Sequence, residues 1–280
     1  MKLTKAILPS FLFAVSAAIA DQPPAPVVLA STPPAVQKAI LSRVADGTIE
    51  EIDRTDESGE VTFDVAFVDK KGIEQGFTLA DDGGLLSVEV ALADAPSAVQ
   101  KTISAEASGW LLEGIDQNMD DTEASMDIEV SKGGRDKYFT VAGDGDVLSA
   151  QVTLDETPPP VQATIRAELP GGTLRSIDEN FDPGGNAFDV VALTNAGVRK
   201  SFTVAPNGSL LSQEVPLQDV PPGARQAILT QIGNGRILRI DQSSTGKKQK
   251  GLSYEVEARK DGKSFDFSVG PAGKFLGMDE

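Results

Sequence analysis

Apolar positions along this chain follow two rhythms that alternate. In the first, Val36, Ile40 and Val44 stand four residues apart, one stripe of an amphipathic helix. The same stripe returns as Val99, Ile103, Ala107, then Val161, Ile165, Leu169, then Ala224, Ile228, Ile232. Each is preceded by a proline, Pro33, Pro96, Pro158 or Pro221, with Ser31-Thr32, Asp94, Thr157 or Asp219 placed to cap the helix start. Gly47, Gly109, Gly172 and Gly235 stand where those helices should stop.

The second rhythm has period two. Phe63, Val65 and Phe67 alternate with Asp64 and Ala66, and Phe77 and Leu79 flank Thr78, so both runs predict half-buried strands. Leu86, Val88 and Val90 predict a further strand, and Ile49 to Asp53 an earlier one, although its apolar residues are spaced by three. Asp69-Lys70-Lys71-Gly72, Asp81-Asp82-Gly83-Gly84, Pro206-Asn207-Gly208 and Pro271-Ala272-Gly273 carry the Gly and Pro chemistry of tight turns.

These rhythms repeat together. Ile40, Ile103, Ile165 and Ile228, Asp53, Asp116, Asp178 and Asp241, and Phe77, Phe139, Phe202 and Phe267 mark a period of 62 to 65 residues. The expectation is an α+β chain of four tandem repeats, each one helix packed on a four-stranded antiparallel meander, over residues 27–90, 91–152, 153–215 and 216–280. A unit of that size is marginal alone, and almost no linker separates Leu92 from Pro96, so the units should pack on one another.

Residues 1–20 have the form of a signal peptide: Lys2 and Lys5, an apolar run from Ile7 to Val15, and Ala18-Ile19-Ala20 as a cleavage site. Residues 21–26 then form a Pro-rich tether. This predicts a periplasmic or secreted bacterial protein, cleaved near Ala20, with no membrane insertion. The formal charge of −17 opposes nucleic acid and anionic lipid as partners. That charge is polarised, from −8 over residues 27–90 to +2 over residues 216–280.

The absence of His and Cys removes the usual general base, triad and thiolate chemistry, so no enzyme is expected and no catalytic residue is assigned. Asp116, Asn118, Asp120 and Asp127 have the spacing of a calcium loop, repeated by Asp178, Asn180, Asp182 and Asp189. Asp121 and Pro183 stand where that loop needs Gly, and a hairpin loop explains the same residues. No cofactor is therefore expected, with calcium the one alternative. If the phenylalanines face the helix, Asp64, Asp127, Asp189 and Glu255 lie on the opposite, solvated face beside Thr78, Thr140, Thr203 and Ser268. That acidic and hydroxyl stripe is the candidate partner-binding surface. Trp110 reads as core, and Lys247-Lys248-Gln249-Lys250 as a solvated loop.

The order Pro-x-x-Val-Gln-x-x-Ile, Ile-Asp, aromatic-acidic-Val, Asp-x-x-Gly, Phe-Thr-Val and Asp/Asn-Gly-x-Leu-Leu resembles the β-lactamase-inhibitor-like, PepSY-like domain family, once per repeat. The resemblance implies a helix-on-sheet domain that binds or inhibits another protein, with peptidases or β-lactamases as the class of hydrolase. The alternative is a structural or envelope repeat protein, stiffened by calcium.

Overall fold

The computed structural model describes residues 22–57, 60–119, 124–181, 185–243, 251–260 and 263–279. The expected signal peptide, Asp120, Asp121, Asp182, Pro183 and the Lys247–Lys250 loop lie outside the described residues.

Four helices form where the apolar stripes predict them: α1 Pro34–Val44, α2 Ser97–Glu106, α3 Pro159–Glu168 and α4 Pro222–Ile232. The strands are β1 Gln22–Pro26, β2 Thr48–Glu57, β3 Glu60–Val68, β4 Glu74–Ala80, β5 Leu85–Glu89, β6 Leu111–Asn118, β7 Ser125–Lys132, β8 Arg135–Ala142 and β9 Val147–Gln151. They continue as β10 Thr173–Asn180, β11 Ala187–Leu193, β12 Arg199–Val204, β13 Leu210–Glu214, β14 Arg236–Ser243, β15 Ser253–Lys260, β16 Lys263–Val269 and β17 Phe275–Asp279.

These strands make one 17-stranded sheet, an antiparallel meander, which overturns the expectation of four tandem repeats each built on its own four-stranded meander. Pairing does not stop at the expected boundaries, because Glu89 pairs with Asp116, Gln151 with Asp178 and Glu214 with Asp241. The physical reason is backbone satisfaction. An isolated four-stranded sheet would leave two rows of N–H and C=O groups open, and the next segment supplies a strand that closes one of them. The tether is also paired: Gln22, Ala25 and Pro26 lie opposite Asp56, Arg54 and Asp53.

Each helix covers its own stretch of sheet. Val36, Ile40 and Val44 pack on Phe63, Val65, Phe77 and Leu79, and α2 packs Val99 and Ile103 on Ile115, Ile128, Phe139 and Val141. Val161 and Ile165 of α3 meet Ile177, Phe188, Val190 and Phe202, and Ile228 of α4 meets Ile240, Tyr254, Val256 and Phe267. Four apolar clusters are thus strung along one sheet.

The helix starts depart from expectation. Pro33, Pro96, Pro158 and Pro221 are themselves the N-caps, without a side-chain cap bond. The hydroxyls of Thr32 and Thr157 instead donate back to Leu29 and Leu154 carbonyls, at 2.9 and 2.8 Å. Gln37, Gln100 and Gln162 reach out of the helix to donate to the carbonyls of Thr32, Ala95 and Thr157. Glycine is required at the hairpin tips Gly83 and Gly208, where φ is +83° and +84° and a Cβ would sit 2.8 Å from the Ala35 or Pro160 carbonyl oxygen. Each hairpin thereby rests on the first turn of its helix. Among the described residues no helix is long and apolar enough to cross a membrane.

Candidate functional site

Alternation along the strands puts a second set of side chains on the face away from the helices. Cross-strand register orders that set into rows. Asp53 lies opposite Asp64, Asp64 opposite Thr78, and Thr78 opposite Ser87. The next rows run Asp116, Asp127, Thr140, Ser149 and then Asp178, Asp189, Thr203, Ser212. The last runs Asp241, Glu255, Ser268, Gly277.

The sheet therefore brings the eight predicted residues together as four cross-strand pairs. Thr78 Oγ1 donates to Asp64 Oδ1 at 2.8 Å, Thr140 Oγ1 to Asp127 Oδ1 at 2.6 Å, and Thr203 Oγ1 to Asp189 Oδ1 at 2.5 Å. Ser149 and Ser212 lie behind two of the threonines, each donating to the hydroxyl in front of it at 3.1 Å. Asn118 and Asn180 donate to the second oxygens of Asp127 and Asp189, at 3.2 and 2.7 Å. Glu255 and Ser268 are register partners on β15 and β16.

The stripe is not the freely solvated surface expected from sequence. Asp64 is 7% exposed and Thr78 2%, while Asp127, Asp189, Thr140 and Thr203 are half-buried. Polar neighbours on adjacent strands cover one another, because each side chain on a pleated face is flanked by those two residues away and those opposite.

That crowding moves proton equilibria. Burial, together with the nearby Asp53 charge, pushes the Asp64 carboxyl up to about 6 against the hydrogen bond from Thr78, which pulls it down. Burial and then the Glu89 and Asp127 carboxylates push Asp116 up to about 7. Burial also raises Glu129 to about 7 and Asp178 to about 6. Each facing Asp–Asp pair contains a carboxylate whose pKa is raised, Asp64, Asp116 or Asp178, and so marks a face that favours a proton or another positive charge.

Sequence reading missed several members of this face. Glu89 and Glu129 belong to it, as do Arg199, which pairs with Glu214 at 2.6 Å, and Arg239, whose Nε lies 2.7 Å from Asp241. Glu129 shares the face of Asp127 by alternation on β7, whereas the signal for Glu89 and for the Glu214 and Asp241 partners of the arginines was register, which requires knowing that β5 pairs with β6 and β13 with β14. Of the calcium pattern, only part lies among the described residues, since Asp120 and Asp182 fall outside them. Asp116 and Asn118 stand on one strand and Asn118 donates to Asp127, and among the described residues no group of three or more acidic side chains is arranged to hold a metal ion. Trp110 is partly buried against the second apolar cluster, with Lys132 Nζ 5.8 Å from its ring centroid.

No protein-family model matches the chain, and no curated protein matches its sequence. Among solved structures it is similar to a BLIP-like protein from Bacteroides fragilis, at 15% identity over 44% of this chain and 85% of that one, with a TM-score of 0.32. It is similar to a DUF2874 family protein from Bacteroides uniformis, at 20% identity over 41% and 86%, with a TM-score of 0.32. A third similar chain, a candidate periplasmic protein of Bacteroides eggerthii, matches at 21% identity over 42% and 87%, with a TM-score of 0.33. Likeness at this level assigns no activity.

Proposed function

We propose that this chain is an exported, non-enzymatic binding protein that holds a protein or peptide partner through the acidic face of its sheet, with cationic groups of the partner facing the carboxylate rows. The observation that carries the reading is the set of facing carboxylates, Asp53 with Asp64, Asp116 with Asp127 and Asp178 with Asp189. Like charges directly opposite across a sheet destabilise it, so a cation brought to them relieves a cost already present in the fold. Export rests on the Lys2 to Ala20 pattern, and the non-enzymatic reading on a chain without His or Cys.

Within this reading the partner is an exported hydrolase, of the peptidase or β-lactamase class, blocked by occlusion. A calcium-stiffened envelope protein is the second reading, resting on the calcium-loop spacing of Asp116, Asn118, Asp120 and Asp127 and its repeat at Asp178, Asn180, Asp182 and Asp189. Affinity capture from periplasmic extract, with and without calcium, separates the two. Stoichiometric recovery of one hydrolase, whose rate falls on adding this protein, supports inhibition. A calcium-dependent rise in melting temperature with no captured partner supports the second reading.

A further inference from the structure

A different region of the sheet has the opposite charge character. β8 and β10 each have eight residues but β9 between them has five, and β9 leaves the sheet at Gln151. The starts of β8 and β10 are left flanking a slot. It is a cavity of about 460 Å³, within the range of small-ligand sites, with Trp110, Leu154 and Leu174 as its apolar wall. Arg135 and Lys137 line it from β8 and Arg175 and Ser176 from β10.

The next junction shows why this one is open. There Arg239, the residue after the bulge in β14, reaches past the end of β13 and donates to Ser201 Oγ on β12 at 3.3 Å, filling the corresponding space. Ser176 follows the matching bulge in β10 and is too short to do so. Charge differs in the same sense. The Arg199–Glu214 ion pair of that junction is replaced here by Asp136 and Gln151, so the cations of this slot are a separate set, Arg135, Lys137 and Arg175. Among the described residues none of Arg135, Lys137 and Arg175 is in an ion pair. The acidic groups of the lining are Asp136 and Glu156; one oxygen of Glu156 is held by the Thr153 N–H and hydroxyl at 2.7 and 2.8 Å, and the Lys137 and Arg135 charges also help hold its pKa down without an ion-pair contact.

We infer that this slot binds the carboxylate end of an apolar molecule, with the carboxylate against Arg175, Arg135 and Lys137 and the apolar body against Trp110 and Leu174. Arginine and lysine recognise a carboxylate by charge-assisted hydrogen bonds; Arg135 and Arg175 stand exposed at the mouth of the slot and Lys137 is half-buried in it. A free apolar acid and the C-terminus of a peptide with an apolar last residue share that chemistry. The inference is independent of the acidic face.

Trp110 is the only tryptophan in the chain, so its emission reports on the slot directly. Decanoate, an acetylated tripeptide ending in leucine with a free carboxylate, and the same tripeptide as its C-terminal amide are titrated by calorimetry and Trp110 fluorescence. At least one acid should bind saturably with a change in Trp110 emission, the amide at least tenfold more weakly than its acid. Ser176→Arg should plug the slot and abolish binding while removing no cation. Gln151→Glu and Arg175→Gln should each weaken binding tenfold or more with thermal unfolding unchanged. Binding of decanoate alone identifies a free acid as the source, and binding of the peptide acid alone a peptide terminus. No binding of either acid at millimolar concentration, equal binding of the amide, or undiminished binding in Arg175→Gln overturns the inference.

Discussion

Arg236, at the start of β14, lies 2.8 Å from Asp81 in the hairpin between β4 and β5, 155 residues earlier in the chain. The sheet therefore curls far enough to bring its fourth helix-bearing stretch against its first. Both partners are about one-third exposed, so the pair itself is worth at most about 1 kcal/mol. Its effect on shape should be larger than on stability. Arg236→Ala should leave the melting temperature nearly unchanged but increase the radius of gyration in small-angle scattering. Arg236→Asp combined with Asp81→Arg should restore the compact value.

The buried carboxylates set the pH dependence. Asp64, Asp116, Asp178 and Glu129 have pKa values raised above the unfolded range, so between the unfolded values near 4 and the folded values near 6 to 7 the native state binds more protons than the unfolded one. Stability should fall as pH rises through 6 to 7 and be regained on acidification toward pH 5. Thermal melts from pH 5 to pH 8 at constant ionic strength check this. A melting temperature that rises across that interval would contradict it.

Asp116 concentrates this effect, lying between Glu89 and Asp127. Asp116→Asn should therefore stabilise the protein at pH 8, by about 1 to 2 kcal/mol, because it removes a buried negative charge that its neighbours oppose. The same variant should flatten the pH profile. Denaturant titration at pH 8 and pH 5.5 measures both, and equal destabilisation at the two values would instead assign Asp116 a purely structural role.

Continuity of the sheet makes a separate prediction. Ile165 is 2% exposed at the centre of the α3 cluster, so Ile165→Ala should cost about 2 to 5 kcal/mol. Because β9 pairs with β10 and β13 with β14, the loss should spread. Hydrogen exchange should show lowered protection in β9 and β14, not in residues 153–215 alone. Protection lost only within that span would indicate separately folding units.

Much of this was legible in the sequence. The four helices follow from the prolines and the Val and Ile stripes, and the hairpin strands from alternation at Phe63 to Phe67 and its counterparts. The odd spacing of Ile49 and Ile52 has a local cause: a bulge between Ile49 and Glu51 inserts one residue, and both isoleucines turn to the same core. The same irregularity falls between Leu112 and Gly114, Leu174 and Ser176, and Ile237 and Arg239. Of the candidate site, the Asp–Thr pairing was readable from alternation. Its burial was not, because the shielding of Asp64 depends on neighbours from other strands. Nor was the joining of Glu89 to Asp116, since no local pattern states which strand a sheet edge will take.

The central claim is that a positive partner relieves the facing carboxylates of the sheet. It is tested most directly by calorimetric titration of a lysine-rich peptide into the protein at pH 6.5, in two buffers of different ionisation enthalpy. A cation at the rows lowers the pKa values of Asp64, Asp116 and Asp178, so the account predicts saturable binding with net proton release, reduced in the Asp116→Asn, Asp178→Asn double variant. Absence of binding, or binding whose enthalpy is the same in both buffers, would contradict it.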